Sequence, residues 1–146
     1  MFADKYIVNV EGAIFKDGQY LMIVRGEEEY APGGLNLPGG KVEGGSNGDD
    51  VLEETLRREI AEEVGLEIHD EMAYVRSSAF IAEGDPVVDV VFLCRYKSGT
   101  ATAADPDEVA AVRWMALAEA IAHPETPPCA RLSLELAEKV RLEKGW

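Results

Sequence analysis

Three glutamates, Glu59, Glu62 and Glu63, stand at i, i+3 and i+4 in the run Arg58-Glu59-Ile60-Ala61-Glu62-Glu63-Val64-Gly65-Leu66. If the run is helical, that spacing puts three carboxylates on one face within about one turn. Like charges so placed repel by a few tenths of a kcal/mol per pair. A solvated surface helix gains nothing from the repulsion, whereas a divalent cation removes it and is caged by hard oxygens. Upstream lies Leu37-Pro38-Gly39-Gly40-Lys41-Val42-Glu43. Its glycines allow backbone to approach a ligand closely. The two segments together point to a metal site. The competing reading is a solvated acidic face, which is what charge runs usually are.

The elements that must position these groups follow from pattern. Tyr6 to Phe15 reads as a strand, Asp17-Gly18 as a hairpin turn and Tyr20 to Arg25 as the return strand. Gly26 to Gly34 is a Pro/Gly-bearing loop, and Leu35-Asn36-Leu37 is a short extended piece before Pro38. Gly39 to Asp50 reads as one long loop. Val51 to Val64 is the helix, with Leu56, Ile60 and Val64 as its buried stripe and Gly65 as its C-terminal cap. The stripe is offset from the three glutamates by roughly a quarter turn. Ala73 to Ala82, Val87 to Tyr96 and Val109 to Met115 are further strands, with a small, polar loop from Ser98 to Asp107. Leu117 to Ala122 is a short helix. Ala130 to Lys144 is a terminal helix with Leu132, Leu136 and Val140 on one stripe, available to the chain's own sheet or to a partner. Strands, one helix, strands and two helices suggest a mixed sheet covered on its faces.

The Gly-Gly lead-in followed by Arg-Glu-aliphatic-x-Glu-Glu-x-Gly-aliphatic resembles the Nudix hydrolase family, and within it the MutT group. The family signature is G-x5-E-x7-R-E-U-x-E-E-x-G-U, with U a bulky aliphatic. Arg58 to Leu66 matches its second half without a gap. The resemblance implies an α/β fold, an α/β/α sandwich with a mixed sheet, spanning residues 1–146 as a single domain. It implies hydrolysis of a nucleoside diphosphate linked to another group, by water attack on phosphorus. Mg2+ or Mn2+ would neutralise phosphate oxygens and lower the pKa of the attacking water. Glu59, Glu62 and Glu63 correspond to the metal ligands, with the Gly40 carbonyl as a further oxygen. Arg58 would pair with a carboxylate and brace the helix.

One departure stands out. The gap between Gly40 and Arg58 is four residues longer than the signature allows, with the excess in Ser46-Asn47-Gly48-Asp49. A loop insertion of this size is entropically cheap. Asp50 occupies the position of the signature glutamate. It either replaces that acid or caps the helix N-terminus. Glu108 is either the general base, as later-loop acids are in some members, or a solvated loop acid. Catalytic candidates are thus Glu59, Glu62, Arg58 and Glu108. Arg25, Lys41 and Phe80 are candidates for substrate contact. For Arg25 a strand-end surface charge, and for Phe80 a core aromatic, are the favoured alternatives. Asp89 either bonds substrate or points to solvent, the latter preferred. Trp114 is read as core, and His69 and His123 carry no assigned role.

Composition bounds the function. The 146 residues suit one domain with a sizeable core, and 47% are hydrophobic. The net charge of −14 argues against a nucleic-acid duplex as partner, because duplex binding needs clustered Lys and Arg. It is compatible with a small nucleotide whose charge a cation offsets. The apolar runs are too short for a membrane span, no signal peptide is visible, and Cys94 and Cys129 lack metal spacing. These features suggest a cytoplasmic protein with reduced thiols. The expected substrate is a nucleoside triphosphate, with ADP-ribose or a nucleotide sugar as alternative. A non-catalytic nucleotide-binding or regulatory domain is the reading from another class. A homodimer is an open expectation.

Overall fold

The computed structural model describes residues 5–27, 29 and 32–146. The expected loop at 28, 30 and 31, and the N-terminal segment 1–4, lie outside the described residues. Strands β1 (Ile7–Lys16) and β2 (Gln19–Arg25) form the expected hairpin. Asp17 and Gly18 both have positive φ, 48° and 79°, the backbone hand that continues the twist of the flanking strands. β3 (Leu35–Asn36) and β8 (Val109–Ala116) add to β2, both antiparallel. β7 (Asp85–Ser98) pairs parallel with β1 from Ile7↔Val87 to Phe15↔Arg95. β6 (Ala73–Ala82) and β5 (Glu67–Ile68) pair antiparallel with β7. One parallel pair among antiparallel neighbours makes the sheet mixed, as expected.

Two strands run against the sequence reading. β4 (Gly39–Lys41) pairs with β1 through Glu11↔Gly39, Val10↔Gly40 and Asn9↔Lys41, where a continuous loop was expected. A Gly-Gly-Lys segment has no strand propensity of its own. Its extended form is imposed by the unpaired edge of β1. β5 was likewise absent from the sequence reading, and two residues carry too little periodicity to be seen.

Helix α1 (Val51–Val64) has the predicted bounds and the predicted cap, with Gly65 at φ 71° and its N–H on the Ala61 carbonyl. Leu56, Ile60 and Val64 are fully buried. They pack on Val10, Ile14, Leu21 and Cys94 from one side of the sheet. On the other side, α2 (Leu117–Ala122) and α3 (Pro128–Lys144) cover Ala13, Tyr20, Met22 and Leu93. The result is an α/β/α sandwich with a core on each face.

The face that α3 buries is in part a correction: of the expected stripe, Val140 packs against the core. Ala130, Ser133, Leu134 and Ala137 are buried, while Leu132 is 42% exposed. Spacing i, i+3, i+4, i+7 describes this seam, and small residues let the helix approach the sheet closely. α3 is further tied down by Tyr20, whose hydroxyl donates to Glu138 Oε1 at 3.0 Å. Burial first, then that bond, raises the Tyr20 pKa above its usual range. Arg141 completes the network through Nη2 to Glu138 Oε2 at 3.2 Å. Tyr20→Phe is expected to destabilise the protein by about 1 kcal/mol, read as a lower urea midpoint at unchanged slope. An unchanged midpoint would show that Arg141 alone satisfies Glu138. Both cysteines are free, Cys94 buried and Cys129 exposed. No described helix is long and apolar enough to cross a membrane.

Candidate active site

The acidic helix meets the Gly-Gly strand at an open cleft of about 530 Å³. Glu59, Glu63 and Glu108 each place one carboxylate oxygen within 4.8 Å of the others. The sequence brought Glu62 into this group, but the structure brings Glu108 instead. The Glu62 side chain is 59% exposed and pairs with Arg58 Nη1 at 3.2 Å. The same nitrogen lies 3.0 Å from Glu59 Oε1 and 3.7 Å from Glu43 Oε1. Arg58 therefore bridges three carboxylates, the bracing that the sequence suggested.

Backbone tethers set the position of Glu108. The carbonyls of Glu63 and Val64, orphaned at the end of α1, accept from the N–H groups of Ala104 and Thr102 at 2.9 and 3.1 Å. This anchors the loop after β7 to the acidic helix. From the other side, Gly26 N–H donates to the Glu108 carbonyl at 3.0 Å. Val109, next in sequence, is buried and fixes the start of β8. Glu108 itself remains exposed at the cleft.

Crowding defines the electrostatics. Burial first, then a hydrogen bond to Glu108 and the charge of Glu59, pushes the Glu63 carboxyl up to about 9. Its Oε2 is buried without a partner. Burial also raises Glu59, against the lowering influence of Arg58. Gly40 lies directly under Glu59: a Cβ there would come within 2.6 Å of Glu59 Oε2. An orphaned buried carboxylate oxygen, two further acids within reach and a bare backbone beside them fit a hard divalent cation. The donor set is all oxygen, as Mg2+ and Mn2+ require.

The remaining sequence candidates separate. Arg25, Lys41 and Phe80 line the cleft. Phe80 is 48% exposed, so the favoured reading of it as a core aromatic is corrected. The reason is its place on β6, an edge strand that pairs with β7 alone among the described strands. Asp50 is exposed, has φ 55° and makes no side-chain capping bond. Its contribution to the helix is its carbonyl, which accepts from Glu54 N–H at 2.9 Å. It does not line the cleft. Asp50→Gly is expected to keep full turnover and to equal or exceed wild-type stability, because glycine adopts that backbone without strain. A large rate loss in a steady-state assay would restore Asp50 as a box acid.

Sequence reasoning missed one group. Asn9 and Glu11 share a face of β1, and Asp89, opposite Asn9 on β7, is only 6% exposed. The preference for a solvent-facing Asp89 is thereby corrected. Asn9 Nδ2 donates to Asp89 Oδ1 at 2.7 Å. Burial first, then a hydrogen bond with Asp89, holds Glu11 well above the usual carboxylate range. Asn9 and Glu11 line the cleft. The signal was available: two polar residues at period two in an otherwise apolar strand, facing an acid set among valines.

A three-layer sandwich in which an acidic helix and a Gly-Gly strand meet at an open cleft is the arrangement that the Nudix resemblance implies. The chain belongs to the NUDIX domain family, whose model matches residues 5–136. No curated protein matches the sequence significantly. Solved structures do. A MutT NUDIX hydrolase from Burkholderia pseudomallei is 29% identical, with 91% of this chain and 98% of that chain covered, at a TM-score of 0.77. A MutT protein from Methanosarcina mazei Go1 is 24% identical over 97% of this chain and 99% of that one, TM-score 0.75. The NUDIX domain of Shewanella oneidensis NrtR, solved with ADP ribose, is 20% identical over 97% and 90%, TM-score 0.73. The chain is thus a MutT-like Nudix pyrophosphohydrolase in family and fold.

Proposed function

We propose that the protein is a Mg2+- or Mn2+-dependent hydrolase of nucleoside triphosphates, releasing a nucleoside monophosphate and pyrophosphate. The observation that carries this reading is the convergence of Glu59, Glu63 and Glu108 oxygens within 4.8 Å at one end of the cleft. Glu59, Glu63 and the Gly40 carbonyl would hold the cation, with Arg58 keeping Glu59 in place. Glu62 stays a candidate ligand only if it leaves Arg58. When bound, the cation supplies charge neutralisation for phosphate oxygens and acidifies water. Arg25 and Lys41 supply fixed positive charge to the phosphate chain. Phe80 offers a half-exposed ring to a base, and Asn9 with the Glu11–Asp89 pair offers polar groups on the cleft floor.

Glu108 is the exposed member of the cluster, and we assign it the proton of the attacking water, which a base must reach within about 3 Å. Glu108→Gln is expected to lower kcat by at least about a hundredfold at little-changed KM. An unchanged kcat would move the base to another acid. The reading as a whole is tested by a phosphate-release screen over dNTPs, ADP-ribose, dinucleoside polyphosphates and nucleotide sugars, with each metal. Turnover of ADP-ribose or a nucleotide sugar alone would replace the triphosphate assignment. No turnover of any compound would sink the catalytic reading and leave a nucleotide-binding domain.

A further inference from the structure

The arginines of this acidic chain are unevenly matched. Arg57, Arg58, Arg95, Arg113 and Arg141 each pair with a carboxylate. Arg25, Arg76 and Arg131 form no ion pair among the described residues, although acids outnumber bases 28 to 14. These three gather at the start of α3. Arg76 Nη1 donates to the Cys129 carbonyl at 3.3 Å and to Ser133 Oγ at 3.2 Å. Arg25 and Arg131 both line a second hollow, of about 310 Å³, whose wall includes Thr126 and the prolines that open α3.

Two donors of the residues on this wall have no hydrogen-bond partner among the described residues. Thr126 is 1% exposed and its Oγ1 makes no hydrogen bond. The Arg131 Nε is buried and likewise unpartnered, while its Nη2 donates to the His123 carbonyl at 3.5 Å. The backbone beneath them is fixed, with Thr126 N–H on the His123 carbonyl at 3.1 Å and Leu35 N–H on the Glu125 carbonyl at 2.9 Å. The positive end of α3's dipole lies at the same place. Glu125, the acid on the wall, is exposed. Arg25 also lines the main cleft, so one residue borders both hollows.

We propose that the second hollow is an anion subsite that takes a phosphate-type group between Arg25 and Arg131, with Thr126 as a further donor. The group is either free phosphate or a phosphate carried by the substrate beyond the linkage that is cleaved. The second source rests on the hydrolase reading above; the first does not. Arginine suits the role because its planar fork matches phosphate oxygens, and neither guanidinium forms an ion pair among the described residues.

The test is a titration of the metal-free full chain with inorganic phosphate, followed by NMR at the Thr126 amide and the Arg131 Nε–H. Saturable shifts there are expected, weakened at least about tenfold in Arg131→Gln. Glu63→Gln, which disables the cation site, should leave them intact, so failure of the hydrolase reading does not touch this arm. Thr126→Val keeps the shape and removes the donor, and should weaken binding if Arg131→Gln proves unstable. In the kinetic arm, Arg131→Gln should raise KM for a dinucleoside polyphosphate more than for a nucleoside triphosphate, at unchanged kcat. That split identifies the substrate as the source; phosphate binding without it identifies free phosphate. Absence of saturable shifts at these residues, or shifts indifferent to both substitutions, overturns the subsite.

Discussion

Glu63→Gln is expected to lower kcat by orders of magnitude while leaving the protein folded. The amide keeps the size and one acceptor oxygen but cannot supply the charge that a divalent cation needs. The same substitution carries a second, opposite signature in stability. In the cation-free protein the Glu63 pKa stands at about 9 against an ordinary 4.5. Between those values the folded chain retains a proton that the unfolded chain has lost. Stability therefore falls as pH rises through that window, with a slope of at most about 1.4 kcal/mol per pH unit. With EDTA present, Tm of the wild type should decline from mildly acid to alkaline pH, and Glu63→Gln should remove most of the decline. Adding Mg2+ should restore the wild type at alkaline pH, because the cation replaces the proton. Equal kcat in the variant would remove Glu63 from the cation site. A wild-type Tm that rises across the same pH range would remove the burial argument.

The paired glycines should respond in different currencies. At Gly40 the atoms that a Cβ would meet belong to the Glu59 side chain. A side chain can swing aside, so Gly40→Ala should fold nearly as well as wild type. In doing so Glu59 leaves its place beside Glu63, and activity should collapse. At Gly39 the obstacle is the backbone of β1, with the Glu11 Cα at 2.8 Å and the Val10 carbonyl closer still. Backbone cannot yield without breaking the β1–β4 pairing. Gly39→Ala should therefore unfold β4 or lower Tm markedly, and lose activity as a consequence. Thermal melts beside metal-saturated turnover separate the two outcomes. Equal melting temperatures for both variants would show that β4 is held by something other than close contact with β1.

The contrast also explains what could be read from sequence. α1 was legible to the residue because its stripe, its cap and its acids all obey one local period. The Asp17-Gly18 hairpin was legible for the same reason. β4 was not, because a Gly-Gly-Lys strand exists only through pairing with β1. Glu62 and Glu63 look equivalent in a helix, yet Arg58 draws one outward and the sheet encloses the other. Glu108 could be nominated, but its meeting with Glu63 depends on carbonyls at the end of α1 holding a distant loop. Asp89 was misjudged because its partners Asn9 and Glu11 lie on a strand far away in sequence. Local order was visible, and long-range enclosure was not.

The parallel pairing of β1 with β7 has a consequence for synthesis. As the chain leaves the ribosome, β1, β2 and α1 emerge well before Val87 can meet Ile7. Until then β1 offers a bare row of peptide groups on the side β7 will fill, and α1 has no complete floor beneath it. A nascent chain in this condition is open to mispairing with its neighbours, and the long loop it must close slows the central step. The yield of folded protein should thus depend on growth temperature and translation rate more than the stability of the finished molecule would suggest.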